Sequence, residues 1–349
     1  MISSYAPQNP WNIAEGGFPS RGSASQKLKF LLNYAVLAPS LHNTQPWSFR
    51  VLDDEVEFFA DASRAMTVLD PEHRQLVISC GAALFNLRMA IKHYEHTPIV
   101  HTFPDQDKPH LLARVRIVAP GEATPLEQQL FAAIKKRRTH RGDFAELPLT
   151  DDELASLRAV GEPEQVAIEV LTEKGAKEAV GTLIAEGMAL QGRNDRLRAE
   201  LSSWTVEPGN TPPDLVPAFA RTRRGTTGGE LADWGGEKAQ FTLRDVSSAP
   251  AIVVISTPHE NRVNWLNTGQ ALSRLLLTST GLTLSASFLN QGVEVPATRQ
   301  RLAELVGHPY PQLVLRLGHP LGQASEEVPR QAVDEKIVTH ALQNPGGDA

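Results

Sequence analysis

Three stretches of this 349-residue chain carry side chains that could hold a charged or heterocyclic ligand. The first runs Ala38-Pro39-Ser40-Leu41-His42-Asn43-Thr44-Gln45-Pro46-Trp47. Two prolines stiffen its backbone, and Ser40, Asn43 and Gln45 offer donors and acceptors that could meet the edge of a planar heterocycle. A helix C-terminus followed by ordinary turn chemistry accounts for the same residues. The second runs Arg137-Arg138-Thr139-His140-Arg141-Gly142-Asp143-Phe144. Guanidinium forks grip a phosphate with both charge and direction, and Arg137, Arg138 and Arg141 lie close in sequence around the Thr139 hydroxyl. A basic run at a helix end, favoured by the helix dipole, is the plain alternative. The third is Arg316-x-Gly318, a cation at the end of a strand that could complete such a site or stand alone on the surface.

Other chemistries lack their signatures. No glycine-rich dinucleotide fingerprint follows a strand, and there is no Walker loop, no nucleophile-elbow serine and no paired-histidine zinc motif. His93 and His96 are close in sequence but have no evident further ligand, so they read as surface histidines, and no metal site is expected. Cys80 lies in an apolar helix and reads as an inert core thiol. As the single cysteine it precludes an intrachain disulfide and suits a reducing compartment.

The elements that must position these residues follow from periodicity. Leu28, Leu31, Leu32, Ala35 and Ala38 recur at helical spacing behind a Ser25 cap and before Pro39, so the first motif leaves a helix. It enters a hairpin, Trp47 to Ala60 turning at Asp53-Asp54. Asp70-Pro71 marks the start of a helix from Glu72 to about Tyr94, apolar on nearly all sides and therefore central. A strand at 113–118 follows. The second series reads as helices at about 126–136 and 150–160, a strand at 166–171 and helical segments from 174 to about 204. A strand at 251–256, an apolar helix at 264–280, a helix at 297–306 ended by Gly307 and a strand at 312–317 complete it.

The two central helices align: Gly81-x-Ala83-Leu84-x-x-Leu87 matches Gly269-x-Ala271-Leu272-x-x-Leu275, and each precedes a final strand. Any two buried helices share Gly, Ala and Leu, but the common order of elements favours an internal duplication. Copies packed face to face would reproduce a homodimer interface within one chain. Between Ser203 and Ser248 the chain is dense in Gly, Pro and Thr, the composition of a lid or a disordered excursion.

A balance of 34 basic against 40 acidic residues, net charge −6, argues against nucleic-acid and membrane-surface roles. No stretch approaches the roughly 18 uncharged apolar residues of a membrane span. Residues 1–21 lack a basic segment followed by an apolar run, so a cytoplasmic location is expected.

Taken together, the Ala-Pro-Ser-x-x-Asn-x-Gln-Pro-Trp, Arg-Arg-Thr-x-Arg-x-x-Phe and Leu-x-Leu-Arg-x-Gly stretches resemble the FMN-binding nitroreductase superfamily. Their order and the chain length resemble its Acg-type branch of single-chain, two-half proteins, over roughly residues 25–320. The resemblance implies an α+β, nitroreductase-like fold with mixed sheets flanked by helices. Its two similar halves, 25–120 and 121–330 with a lid insertion at about 203–248, would form a pseudo-dimer in one chain. In ordinary members one subunit supplies an arginine stretch and its partner the Pro-Ser loop. Here the two lie in different halves, which implies one FMN site drawn from both.

By that resemblance Arg137, Thr139, Arg141 and Arg316, with Arg138 beside them, hold the phosphate and ribityl end. Thr139 stands where a serine is usual. Pro39, Ser40, Asn43 and Gln45 border the ring, and the backbone near Leu289 to Gln291 approaches flavin N5. The implied partners are NAD(P)H and a nitroaromatic, quinone or similar electron acceptor, with no catalytic side chain required. The alternative function is flavin storage, with the lid blocking the ring. The assembly expected is a monomeric pseudo-dimer or a homodimer.

Overall fold

The computed structural model describes residues 9–206, 216–217, 246, 248–322 and 327–339. Most of the expected lid at 203–248 lies outside the described residues.

Helix α1 (Ala24–Ala35) is opened by Ser23 rather than Ser25. The Ser23 hydroxyl accepts the Gln26 N–H while the Gln26 side chain accepts the Ser23 N–H at 2.9 Å, a reciprocal cap that starts the helix before the expected position. Strands β1 (Trp47–Val51) and β2 (Glu55–Ala60) form the expected hairpin. The buried helix α2 runs Arg74–His93 and not from Glu72. His73 sits in the left-handed region at φ 59°, which no continuous helix allows, and the Asp70 carboxylate accepts the Leu76 N–H at 2.9 Å. Strands β3 (Thr97–Thr102) and β4 (Leu111–Val118) complete a sheet of order β1-β2-β4-β3.

The second series begins with α3 (Pro125–Ile134), α4 (Asp151–Ala159) and β5 (Ala167–Leu171). Helices α5 (Lys174–Gly192) and α6 (Asp195–Ser203) lead to the short parallel pair β6 (Thr205–Val206) and β7 (Val216–Pro217). Then come β8 (Ala251–Thr257), α7 (Arg262–Gly281), β9 (Ser285–Phe288), α8 (Gln291–Glu294), α9 (Pro296–Val306), β10 (Tyr310–Gly318) and α10 (Val333–Lys336). The second sheet has the order β5-β8-β10-β9. Both sheets therefore place, from one edge, an opening strand, the strand before the long helix, the last strand, and the strand after that helix.

Within each four-stranded sheet every ladder is antiparallel. Parallel pairing at the edges is confined to single bridges, Phe49 with Ile337 and Thr139 with Ala286, so the mixed character is slighter than expected.

Helix α2 packs on the first sheet, α7 on the second, and the two helices pack on each other. Gly81 and Gly269, the first aligned pair of the repeat, meet at their crossing, where a methyl on either would strike backbone of the opposite helix. Further along, Ser273 Oγ donates to Asn86 Oδ1 at 2.7 Å, and Arg88 donates to Gln270 Oε1 at 2.6 Å. Among the described residues no helix is long and apolar enough to cross a membrane.

Candidate functional site

The arginine stretch follows α3 and runs beside the edge strand of the second sheet. Thr139 bridges Ala286 in β9, the His140 N–H donates to the Ala286 carbonyl at 2.9 Å, and the Ser287 hydroxyl bonds the His140 carbonyl. Side chains of an extended segment alternate, which separates Arg137 and Arg141 from Arg138. Arg137 is buried at 4% exposure, whereas Arg138 Nη2 turns to Glu327 Oε1 at 2.7 Å. Arg316, on β10, donates from Nη2 to the Gly142 carbonyl at 3.0 Å, and its guanidinium stands 5.0 Å from the Phe144 ring centroid.

Arg330 joins this cluster from the chain segment after β10. Burial, then the charges of Arg137, Arg138 and Arg141, hold its guanidinium well below the usual range. Burial followed by repulsion from Arg138 and Arg141 lowers Arg137 to about 10, and burial lowers Arg141. Groups that repel one another share a neighbourhood, so these cations converge on one place. Glu327 is a carboxylate bound to the cluster, and it pairs with Arg138. Arg137 Nη1 and Arg330 Nε are buried without a hydrogen-bond partner there.

The same Arg330 reaches the proline-stiffened loop. Its Nη1 donates to Asn43 Oδ1 at 2.7 Å, and its Nη2 donates to the Ala38 carbonyl at 3.2 Å. The loop is tightly wound, with His42, Asn43 and Gln45 at φ 43°, 59° and 49°, and Ser40 Oγ accepts the Gln45 N–H at 3.0 Å. Asn43 Nδ2 donates to the Pro329 carbonyl at 3.0 Å. Gln45 Oε1 accepts the Gln331 N–H at 2.8 Å, and Lys336 Nζ donates to the Gln45 carbonyl at 2.8 Å. Asn43 and Gln45 are thus engaged by residues 329–336, and those bonds fix the loop.

Helix α2 links the far side of the loop to β9 and α8. Ser79 Oγ accepts the Leu41 N–H at 3.1 Å and donates to the Gln75 carbonyl at 2.7 Å. Gln75 Oε1 accepts from Asn290 Nδ2 at 3.3 Å. Gln75 Nε2 and Gln191 Nε2 donate to the two oxygens of Glu294 at 3.0 and 2.8 Å. Burial raises the Glu294 carboxyl above its ordinary range, against the lowering by the Gln191 and Gln75 bonds and by Arg74. Next to it, Gln291 Oε1 is a buried acceptor without a partner among the described residues, as is Gln331 Oε1.

Residues from three expected stretches, Arg137 to Arg141, Pro39 to Gln45 and Gln291, are therefore connected through Arg330 on one side and Gln75 on the other. Sequence reasoning missed Trp11, Gln75, Arg330, Gln331 and Lys336. Nothing local marks Arg330 apart from the charged residues after it, and Gln75 reads as one polar position on a buried helix. His96 is buried rather than a surface group, whereas His93 is half-buried, stacking on Phe131 with centroids 3.6 Å apart. A cavity of about 170 Å³ lined by Glu72, His73, His110 and Arg262 lies apart from the arginine cluster and shares none of its residues.

Buried, mutually repelling cations should be stabilised by an anion. Millimolar inorganic phosphate is expected to raise the thermal unfolding temperature of the protein, and chloride at equal ionic strength is not. Equal effects of the two salts would mean that the cluster selects no phosphate.

No family model matches the chain. Among curated proteins, the Mycobacterium tuberculosis "Putative NAD(P)H nitroreductase acg" is 30% identical over 318 residues, 88% of this chain and 94% of that protein. A second from the same organism, Rv3131, carries the same description and is 29% identical over 301 residues, covering 84% and 85%. Among solved structures, the FMN-dependent nitroreductase NfnB of Mycobacterium smegmatis, in complex with NADPH, is 14% identical with a TM-score of 0.42. The match covers 63% of this chain and 100% of that one.

Proposed function

Because the chain belongs to the nitroreductase family that includes acg, we propose that it is an FMN-dependent NAD(P)H oxidoreductase with one flavin site at the junction of two similar halves. The halves are residues 25–120 and 121–330, and their common strand order and the touching glycines of the repeat support a duplication. The observation that carries the functional reading is Arg330. It bonds Asn43 of one half while lying in the field of Arg137, Arg138 and Arg141 of the other, so a phosphate grip and a heterocycle-bordering loop share one site.

The side chains suit FMN. Arg137 Nη1 and Arg330 Nε are buried donors without a partner among the described residues, as a dianionic phosphate requires. Gln291 Oε1 and Gln331 Oε1 are buried acceptors in the same condition, suited to a ring N–H. Arg137, Arg141, Arg316 and Arg330 would hold the phosphate, with the Thr139 hydroxyl toward the ribityl chain and Arg138 outside them. Pro39, Ser40, Asn43 and Gln45 would border the ring, with the backbone at Gln291 facing it from the second half. When bound, FMN supplies the two-electron chemistry that couples NAD(P)H oxidation to reduction of a nitroaromatic, quinone or similar acceptor.

The protein's own part is positional and electrostatic. The guanidinium cluster neutralises the phosphate. The loop, fixed by Arg330, Gln331 and Lys336, presents a rigid edge that needs no rearrangement on binding. The Gln75–Glu294–Gln191 clamp keeps the turn at Asn290 and Gln291 in place.

Purified protein is expected to turn yellow with FMN and to lose its visible flavin absorbance when NADH or NADPH is added without oxygen. Colour that survives both nucleotides would favour flavin storage. Protein that remains colourless after FMN addition would remove the cofactor reading altogether.

A further inference from the structure

The segment ahead of α1 has a place in the site that its sequence does not announce. Residues 9–18 contain no basic side chain, yet they lie against the arginine cluster of the other half. The buried Trp11 indole donates from Nε1 to the Val328 carbonyl at 3.0 Å. Its ring carries the Arg138 guanidinium 4.0 Å from the centroid and the Arg330 guanidinium at 5.3 Å. Asn9 anchors the arrangement, accepting the Trp11 N–H at 3.1 Å and donating to Glu327 Oε2 at 3.2 Å, while Glu327 Oε1 accepts from Arg138. Lys135 ties down the following residues through the Ile13 carbonyl at 3.2 Å and Glu15 at 3.0 Å.

Two guanidinium groups of like charge do not stay together unaided. An indole face attracts each of them without neutralising either, which a carboxylate could not do. We propose that Trp11 is a positioning residue for phosphate recognition: its ring holds Arg138 and Arg330 side by side, so that the cluster grips the phosphate ester of a flavin mononucleotide. This rests on the FMN reading above. Glu327 balances Arg138 on the outer side, while Arg330 lies in the field of Arg137 and Arg141.

The test compares FMN with riboflavin, which lacks the phosphate, by fluorescence titration of the flavin-free protein. Wild-type protein should prefer FMN. W11L, which keeps apolar bulk but has no π face, should lower that preference about tenfold while leaving riboflavin affinity nearly unchanged. W11F, which keeps a ring, should stay within about threefold of wild type. Circular dichroism checks that each variant is folded, and W11M, which likewise has no π face, takes the place of W11L if that variant does not fold. An equal loss for both flavins in either variant, or an unchanged preference in W11L, overturns the inference for Trp11 alone. A wild-type protein with no preference for FMN overturns it together with the functional reading.

Discussion

Arg137→Met is expected to make the flavin-free protein more stable while removing most of its affinity for FMN. Arg137 is buried beside three other guanidinium groups, and one of its nitrogens has no partner among the described residues. Its pKa falls to about 10, so the unfolded chain holds the proton more tightly than the folded one. The folding penalty is therefore fully present below about 10, neutral pH included, and fades as pH rises toward the ordinary arginine value. Methionine fills a similar volume without charge. We expect a gain of about 1–3 kcal/mol in the unfolding free energy of the flavin-free protein, measured by urea titration. FMN affinity should fall roughly 30- to 100-fold, because charge-assisted bonds worth about 2–3 kcal/mol are lost. Arg138→Met should change stability far less. Burial lowers that guanidinium too, but Glu327 and the Trp11 face offset it, so the change should stay within about 1 kcal/mol. If Arg137→Met instead destabilises the flavin-free protein by several kcal/mol, the residue is a structural element and not a ligand-binding charge.

That contrast within one motif also marks how far the sequence could be read. The run of arginines was visible as an anion site, but which of them turn inward depended on pairing with β9, a four-residue strand, Ser-Ala-Ser-Phe, with no strong local signal. β3 was missed for a related reason: its edge position, paired only with β4, leaves a half-exposed pattern without clear alternation. Long helices were legible because periodicity over many residues is a local property, and their starts were less so. Ser23 displaced Ser25 because Gln26 could answer it, and His73 displaced Glu72 because a left-handed residue interrupts the helix. The loop from Pro39 to Trp47 was found, but its fixing by Arg330, Gln331 and Lys336 joins residues nearly 300 positions apart, which no local pattern carries. The same holds for Trp11 against Arg138. A site assembled at a junction depends on tertiary contacts, so its motifs can be read while its supporting residues cannot.

Gly81→Ala should be among the most damaging single-methyl additions in the chain, although helix propensity alone favours it. In an open helix the exchange gains up to about 1 kcal/mol, because alanine loses less backbone entropy. At the α2–α7 crossing the new methyl would drive into the Leu266 carbonyl, with the Gly269 Cα only 3.0 Å away. Backbone of a buried helix cannot move aside as a side-chain tip can, so the helices must separate. Overpacking at such a point costs about 3 kcal/mol, which exceeds the propensity gain. Gly269→Ala faces the Ile78 carbonyl and should cost a similar amount. Gly175, near the start of α5, has nothing within 4 Å of an added methyl, so Gly175→Ala should be neutral or slightly stabilising. Denaturant titration of the three variants would separate the cases; a harmless Gly81→Ala would mean that the helices do not cross as closely as described. The effect should also extend to the cofactor. Gln75 and Ser79 lie on α2 within two turns of Gly81, so separating the helices would disturb the clamp at Asn290 and loosen FMN even where the protein still folds.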